Sequence, residues 1–516
     1  MFIKLLMLVV FFGVMVGVGV YCRRHATNVD GFVLGGRAVG PWLTAFAFGT
    51  SYFSAVVFVG YAGQFGWRFG LASTWIGLGN AVLGSLLAWV VLGRRTRIMT
   101  QQLNTATMPE FFARRYGSKA LQIGASVIVF VFLIPYTASL YNGLSRLFGM
   151  AFNIPYTVCI VIMAVLTGVY VIVGGYMATA INDFIQGIIM LFGIVAVILA
   201  VLKANGGFMQ AYTDMARVTD ASVSEAPGMF ASFFGPDPVS LLFVVILTSL
   251  GTWGLPQMVQ KFYAIKSEGA IAKGTIISTL FAVVVAGGCY FLGGFGRLFS
   301  DKIDIAANGY DSVIPTMLET LSPALIGVVV ILVLSASMST LSSLVLASSS
   351  TLTLDLIKGN IVKDMDEKKQ LLVMRALIVV FIAVSVIIAI VQYNTNVTFI
   401  AQMMGISWGA LAGAFLAPFL YGLYMKGASK AGCWCSFIFG VGIMILNMLF
   451  KPMFPVWLRS PINAGAVAML GGLVIVPVVS LFTPKPNKKL VEYAFAGYER
   501  KVVVTARARL DGEEVE

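Results

Sequence analysis

The chain has 516 residues, 59% of them apolar and only 11% charged, with a formal net charge of +13. A soluble domain carries roughly 25% charged residues, and a water-exposed fold of this length needs more polar surface than this chain supplies. These figures exclude a soluble enzyme, a secreted disulfide scaffold and a disordered chain, and leave a polytopic helical membrane protein.

Thirteen apolar segments follow in chain order, near residues 2–22, 41–66, 71–93, 120–148, 155–174, 183–202, 239–262, 274–296, 324–353, 371–392, 398–424, 431–450 and 462–482. Each is long enough to cross about 30 Å of hydrocarbon. The first lacks a small-residue cleavage site, and Arg23 and Arg24 follow it as a stop, so it reads as a span and not as a signal peptide. The stretch 203–238, rich in Gly, Ala, Ser and Asp, predicts an outer loop with short surface helices. The tail 483–516 is short and mixed in charge, with no room for a catalytic domain.

Walking the loops alternately places 25 Lys and Arg on one side and 8 on the other. The richer side includes Arg94, Arg95, Arg97, Lys261 and Lys266. Basic residues collect on the cytoplasmic side, so the N-terminus is expected outside and the C-terminus inside, an arrangement that needs an odd number of spans. The positive charge thus marks topology. It forms no basic stripe, and no nucleic-acid partner is expected. The five cysteines (Cys22, Cys159, Cys289, Cys433 and Cys435) lie in apolar runs and read as buried small side chains. The single histidine, His25, sits in a charged loop, which argues against a histidine proton relay.

Polarity enters the membrane at four places. The second span contains Gly49-Thr50-Ser51-Tyr52-Phe53-Ser54, a run that tolerates an unwound turn. Asp183 opens the sixth span, with Gln186 on the same helix face. It is either a helix N-cap or an intramembrane functional carboxylate. The seventh span contains Gly251-Thr252-Trp253-Gly254-Leu255-Pro256, which breaks a helix. In the ninth span Ser339, Ser342 and Ser343 share a face with Ala336, flanked by Thr340. Such a stripe serves either helix packing or a weakly held hard cation, which takes oxygen ligands. Two interrupted spans at corresponding positions of two five-span units point to a transporter site at mid-membrane depth. Two unrelated kinks are the plainer alternative.

Four local matches then add up. They are Gly35-Gly36-Arg37-Ala38-Val39-Gly40-Pro41-Trp42; Gly174-Gly175 followed by Asp183-Phe184-Ile185-Gln186; Gln257 with Lys261-Phe262 after the Gly-Pro break; and Ala336 through Ser342. In this order along thirteen spans the chain resembles the sodium/solute symporter family, nearer its bacterial proline branch than its sugar cotransporters. The resemblance implies an all-α polytopic fold of the leucine-transporter type, with about 13 transmembrane helices built as two inverted five-helix repeats plus extra terminal helices. The expected units are an N-terminal helix and loop at 1–40, repeat one with the outer loop at 41–238, repeat two at 239–424, two extra helices at 425–482, and the tail at 483–516.

It further implies a sodium held by the carbonyls of Thr50, Phe53 and Ala336 and the hydroxyls of Ser339 and Thr340. Asp183, Ser342 and Ser343, beside Ser339, match the pattern of a second sodium found in some members. The implied solute site comprises Tyr52, Phe53, Ser54, Tyr136, Thr137, Thr248, Thr252 and Trp253. Tyr52 stands where the proline branch has an acidic residue, and Thr248 and Thr252 where it has two aromatics, while Tyr136 matches; the proline preference does not carry over directly. The expected function is sodium-coupled import of a small organic solute, an amino acid such as proline or a monocarboxylate, by alternating access. The rival readings are a proton-coupled permease of the same fold and a passive channel. No enzymatic constellation is present and no cofactor is expected, with Na⁺ as coupling ion. The expected partners are the solute, Na⁺ and the lipid bilayer, for a monomer or loose oligomer in the inner (plasma) membrane.

Overall fold

The computed structural model describes residues 2–152, 154–223, 226–358, 360–362, 364–395 and 400–499. Backbone polar groups in hydrocarbon must be paired within the chain, which leaves helices as the economical solution. Among the described residues the elements are all helical, apart from isolated bridges.

Among the described residues ten helices are long and apolar enough to span a bilayer, and an eleventh is a bent pair, Pro238–Gly254 with Pro256–Ala264. Two of the ten are 47 and 49 residues long. At 1.5 Å per residue each measures about 70 Å, twice the hydrocarbon thickness. Both are broken by a glycine with positive φ, Gly70 (φ 64°) in Val56–Gln102 and Gly175 (φ 56°) in Tyr156–Ala204. Each of these long helices is therefore two spans, and the eleven become the thirteen expected.

Gly175 moves one boundary. The sequence predicts the sixth span from residue 183, but the helix restarts directly after the glycine, whose ψ of −150° only a residue without a side chain adopts readily. Asp183 therefore lies two turns inside a helix and is fully buried, so the N-cap alternative falls.

Burial orders the bundle. In the eleventh span, Ile400–Tyr424, 94% of the most apolar window is buried, and in the ninth, Pro323–Ile357, 78%. The first span buries 22% and the tenth 33%, which puts them at the periphery. The hydroxyl-rich ninth span is thus a central helix. The expected outer-loop helices are present as Phe208–Arg217 and Met229–Ala231. Two ion pairs fix this loop region, Arg297 with Asp220 at 2.9 Å and Arg68 with Asp237 at 2.7 Å. The Ser222 hydroxyl and Arg297 hold the Asp220 carboxyl below its usual range.

At the opposite end the arginines find acceptors. Arg94 pairs with Glu268 at 2.6 Å, and Arg97 donates to the carbonyls of Ile265 and Lys266 at 2.9 and 2.8 Å. Arg115 caps the eleventh span through the carbonyls of Gly422 and Met425, at 2.8 and 2.9 Å. Here the entrance to the second span is stitched to the exit of the seventh. Val39 N–H donates to Ala264 C=O at 3.2 Å, and Lys266 N–H donates to Val39 C=O at 3.0 Å.

Candidate functional site

The second span breaks as its residues predict. Helix Pro41–Tyr52 ends at Phe53, whose backbone is extended (φ −81°, ψ 122°), and helical structure resumes at Ala55 and passes through a wide turn at Val56–Tyr61. The carbonyls freed by this break must find donors inside the protein. They find them on the ninth span. Ser339 Oγ donates to Thr50 C=O at 3.2 Å, and Thr340 Oγ1 lies 3.2 Å from Thr50 C=O and 3.3 Å from Phe53 C=O. Both hydroxyls also lie 3.1 Å from Ala336 C=O. Five oxygens named from the sequence thus converge on one point between two buried helices. A hard cation about 2.4 Å from each of its ligands holds neighbouring oxygens about 3.4 Å apart, close to the spacing found.

The second group named from the sequence meets an unexpected neighbour. Asp183 makes no hydrogen bond within the described residues, and its charge partner is Lys261 Nζ at 3.8 Å from Oδ2. The same ammonium donates to Ser343 Oγ at 3.0 Å and lies 5.2 Å from the centre of the Tyr176 ring. Ser343 Oγ is 2.9 Å from Ser51 Oγ, while Ser342 donates to Ser339 C=O at 2.9 Å in its own helix. Lys261 is 2% exposed, so it is no cytoplasmic surface charge, as the count of basic residues had it.

The seventh span breaks at Leu255 (φ −82°, ψ 124°), ahead of Pro256, with a bend of 46°. The glycines there do a different task from the one expected of them. A Cβ on Gly251 would meet the Trp408 ring at 2.4 Å, and one on Gly254 would meet Ala412 Cα at 2.9 Å. They let the seventh and eleventh spans touch.

Between the second, third, seventh and eighth spans lies a cavity of about 20 Å³, room for about one water. Of the expected solute residues, Tyr52, Phe53 and Thr252 line it. The others do not line it. Thr137 and Thr248 bond back to their own helices, at 3.0 Å to Leu133 C=O and 2.8 Å to Val244 C=O. Trp253 Nε1 donates to Leu83 C=O at 2.9 Å. Among the described residues Ser54 Oγ and the Tyr136 hydroxyl are buried without a hydrogen-bond partner, and the Tyr136 ring sits edge-on to Trp408 at 5.9 Å. The lining adds residues that the sequence reading missed: Asn80, Ser85, Ser278 and Phe281. Asn80 donates to the Tyr52 hydroxyl and accepts from Ser249 Oγ at 3.1 Å. An amide inside an apolar span was the available signal.

Similarity to known proteins bears on the family and the fold. The family model for the sodium:solute symporter family matches residues 32–440. Proteins named sodium/proline symporter from several strains of Staphylococcus aureus, among them JH9, are 29% identical over 496 residues, covering 94% of this chain and 93% of theirs. In fold, the chain is similar to a Na⁺-coupled sialic acid symporter in a substrate-bound, outward-open state, with a TM-score of 0.72, 16% identity, and coverage of 95% of this chain and 99% of the other. It is also similar to Mhp1 in an inward-facing conformation, with a TM-score of 0.51, 13% identity, and coverage of 90% and 96%. The leucine-transporter type of fold expected from the sequence is borne out. With a family model over most of its length, the chain belongs to the sodium:solute symporter family, a multi-pass membrane transporter that moves a small solute with Na⁺ as its coupling ion.

Proposed function

We propose that this chain imports a small amino acid or a monocarboxylate of similar size, using a sodium held by Thr50, Phe53, Ala336, Ser339 and Thr340. The observation that carries the reading is the convergence of their five oxygens on the break in the second span. Sodium entering there replaces the hydroxyl-to-carbonyl hydrogen bonds and ties the unwound turn to the ninth span. That ordering pre-forms the adjoining solute site, and linkage then requires the solute to raise sodium affinity by the same factor. The 20 Å³ cavity is the collapsed form of that site. Admitting the solute requires the second and seventh spans to move against their neighbours. Its lining carries hydroxyls, an amide and aromatic rings without a charged side chain, which suits a solute with no net charge or one that brings its own carboxylate to the sodium. Similarity to proteins named sodium/proline symporter supports the amino-acid class.

The repeats run 41–238 and 239–424, flanked by the 1–40 and 425–482 segments and the tail from 483. Basic residues gathered at one end support an N-terminus outside and a cytoplasmic C-terminus in the plasma membrane of the cell. The apolar periphery is covered by lipid, whether the protein is a monomer or a loose oligomer. One charge crossing 100 mV supplies about 2.3 kcal/mol, enough for useful accumulation.

The test is a thermal-shift screen of the purified protein against amino acids, monocarboxylates and sugars, with and without Na⁺. A compound that stabilises only with Na⁺ identifies the solute class. In uptake, Ser339→Ala should shift the sodium activation curve to higher concentration. An unchanged curve, or uptake that follows the pH gradient and ignores sodium, would overturn the proposal.

A further inference from the structure

We infer that Lys261 is a built-in cation whose ammonium holds the place beside Asp183 and Ser343 that a second sodium would take, so that one sodium accompanies each transport cycle. The inference rests on the first sodium position proposed above and adds the stoichiometry to it. Three observations carry it.

The first is the set of partners. Lys261 Nζ faces the Asp183 carboxylate at 3.8 Å, the Ser343 hydroxyl at 3.0 Å and the Tyr176 ring at 5.2 Å. A carboxylate, a hydroxyl oxygen and an aromatic face are all partners of a cation, and two spans supply them, the sixth with Asp183 and Tyr176 and the ninth with Ser343. The second is the balance of charge. Asp183 is the one acid within ion-pair distance of Lys261 among the described residues. The other carboxylate buried along the ninth span, Asp355, is engaged by Thr107 Oγ1 at 2.6 Å and Gln122 Nε2 at 2.7 Å. One carboxylate neutralises one cation, and a sodium added to the pair would leave an uncompensated charge in a buried site. The third is the state of the hydroxyls. Ser343 already accepts from the ammonium, and Ser342 donates to Ser339 C=O at 2.9 Å. A lysine on a four-carbon stem is tethered and cannot be released inside the cell as an ion is. It supplies the charge of the second site without contributing to the driving force.

The test is the number of sodium ions bound, and it needs no solute. Equilibrium binding of radioactive ²²Na⁺ to the purified full-length protein should saturate at one ion per chain, with a hyperbolic curve. Lys261→Met should bind two ions cooperatively, because Asp183 then lacks a counter-charge. Lys261→Met combined with Asp183→Asn should return to one. Should Lys261→Met fold poorly in choline, high sodium should restore its melting temperature. Failure of sodium to do so would overturn the inference, since the vacated position would then not accept the ion. Two ions bound by the wild-type chain, or one by Lys261→Met, would also overturn it while leaving the first site intact. No saturable sodium in the wild type would instead overturn the first site, and the proposed function with it.

Discussion

Removing the ammonium of Lys261 tests how far the buried pair supports the fold. At 3.8 Å, two unit charges attract by roughly 4 kcal/mol at an effective dielectric of about 20. Much of that is offset by the desolvation of both groups, so the pair contributes little net stability. Breaking it is another matter, because deleting one partner strands the other and costs about 3–5 kcal/mol. For a chain of 516 residues that unfolds cooperatively, an unfolding entropy of about 2 cal/mol/K per residue turns this into a fall of roughly 3–5 °C. Lys261→Met, measured in choline without sodium, should show that fall. Asp183→Asn should also destabilise, and the double variant should recover to within about 1 °C of wild type, since the two sites are coupled. Differential scanning fluorimetry of the four proteins in one detergent closes the cycle. The reasoning fails if Lys261→Met melts with the wild type, or if the double variant melts as low as two independent losses would require.

Thr340→Ala should raise the sodium concentration for half-maximal uptake at least about tenfold, the equivalent of 1.4 kcal/mol, while Thr340→Ser keeps the hydroxyl and stays near wild type; equal curves for both would count against the first site. Asn80→Leu leaves the Tyr52 and Ser249 hydroxyls without their buried partner, a loss of about 1–3 kcal/mol, and should raise the half-saturating solute concentration with little change in sodium dependence at saturating solute. Gly175→Ala forces φ 56°, ψ −150° on a residue with a Cβ, and that Cβ would lie 3.0 Å from Phe32 C=O. A loss of about 1–3 kcal/mol should appear as a lower melting temperature, and an unchanged one would remove the case for this break. Burial pushes the Asp311 carboxyl up to about 6, against the Ile400 N–H and Arg146, which lower it. A carboxyl raised in the folded state favours folding while protonated, so its contribution is complete below about pH 4 and is lost as pH rises through about 6. Asp311→Asn should therefore flatten the decline in melting temperature across that window, and an identical decline in both proteins would exclude Asp311 as its cause.

Much of the architecture is legible in the sequence because the bilayer imposes one length and one kind of element. Hydropathy alone finds the thirteen spans, and helical spacing puts Ala336, Ser339 and Thr340 on adjoining positions of the ninth. The break at Phe53 is foreshadowed by the small and hydroxyl residues before it. What escapes is contact between distant segments. Lys261 reads as a loop charge because its partner Ser343 is 82 positions away, and nothing local marks it as buried. Asp183 reads as a helix start because Gly175 ends one helix and begins another within two residues. Gly251 and Gly254 read as helix breakers, whereas their missing side chains make room for Trp408 and Ala412. Thr137, Thr248 and Trp253 have the right chemistry for a solute, but side-chain direction is set by the helix and its neighbours, and all three spend their donors on carbonyls.

The two backbone hydrogen bonds around Val39 have a mechanical consequence. They clamp the lower ends of the two broken spans, which come from different halves of the chain, into a single lever. Torque applied to one is delivered to the other without passing through any side chain, so mutation of side chains alone cannot uncouple them. If the clamped ends travel together, the unwound turns at Phe53 and Leu255 are where the backbone would bend. A substitution that removes an N–H from the clamp, such as Val39→Pro, would let each clamped half move by itself, and the passage on the clamp's side could then open before the one on the other side had shut.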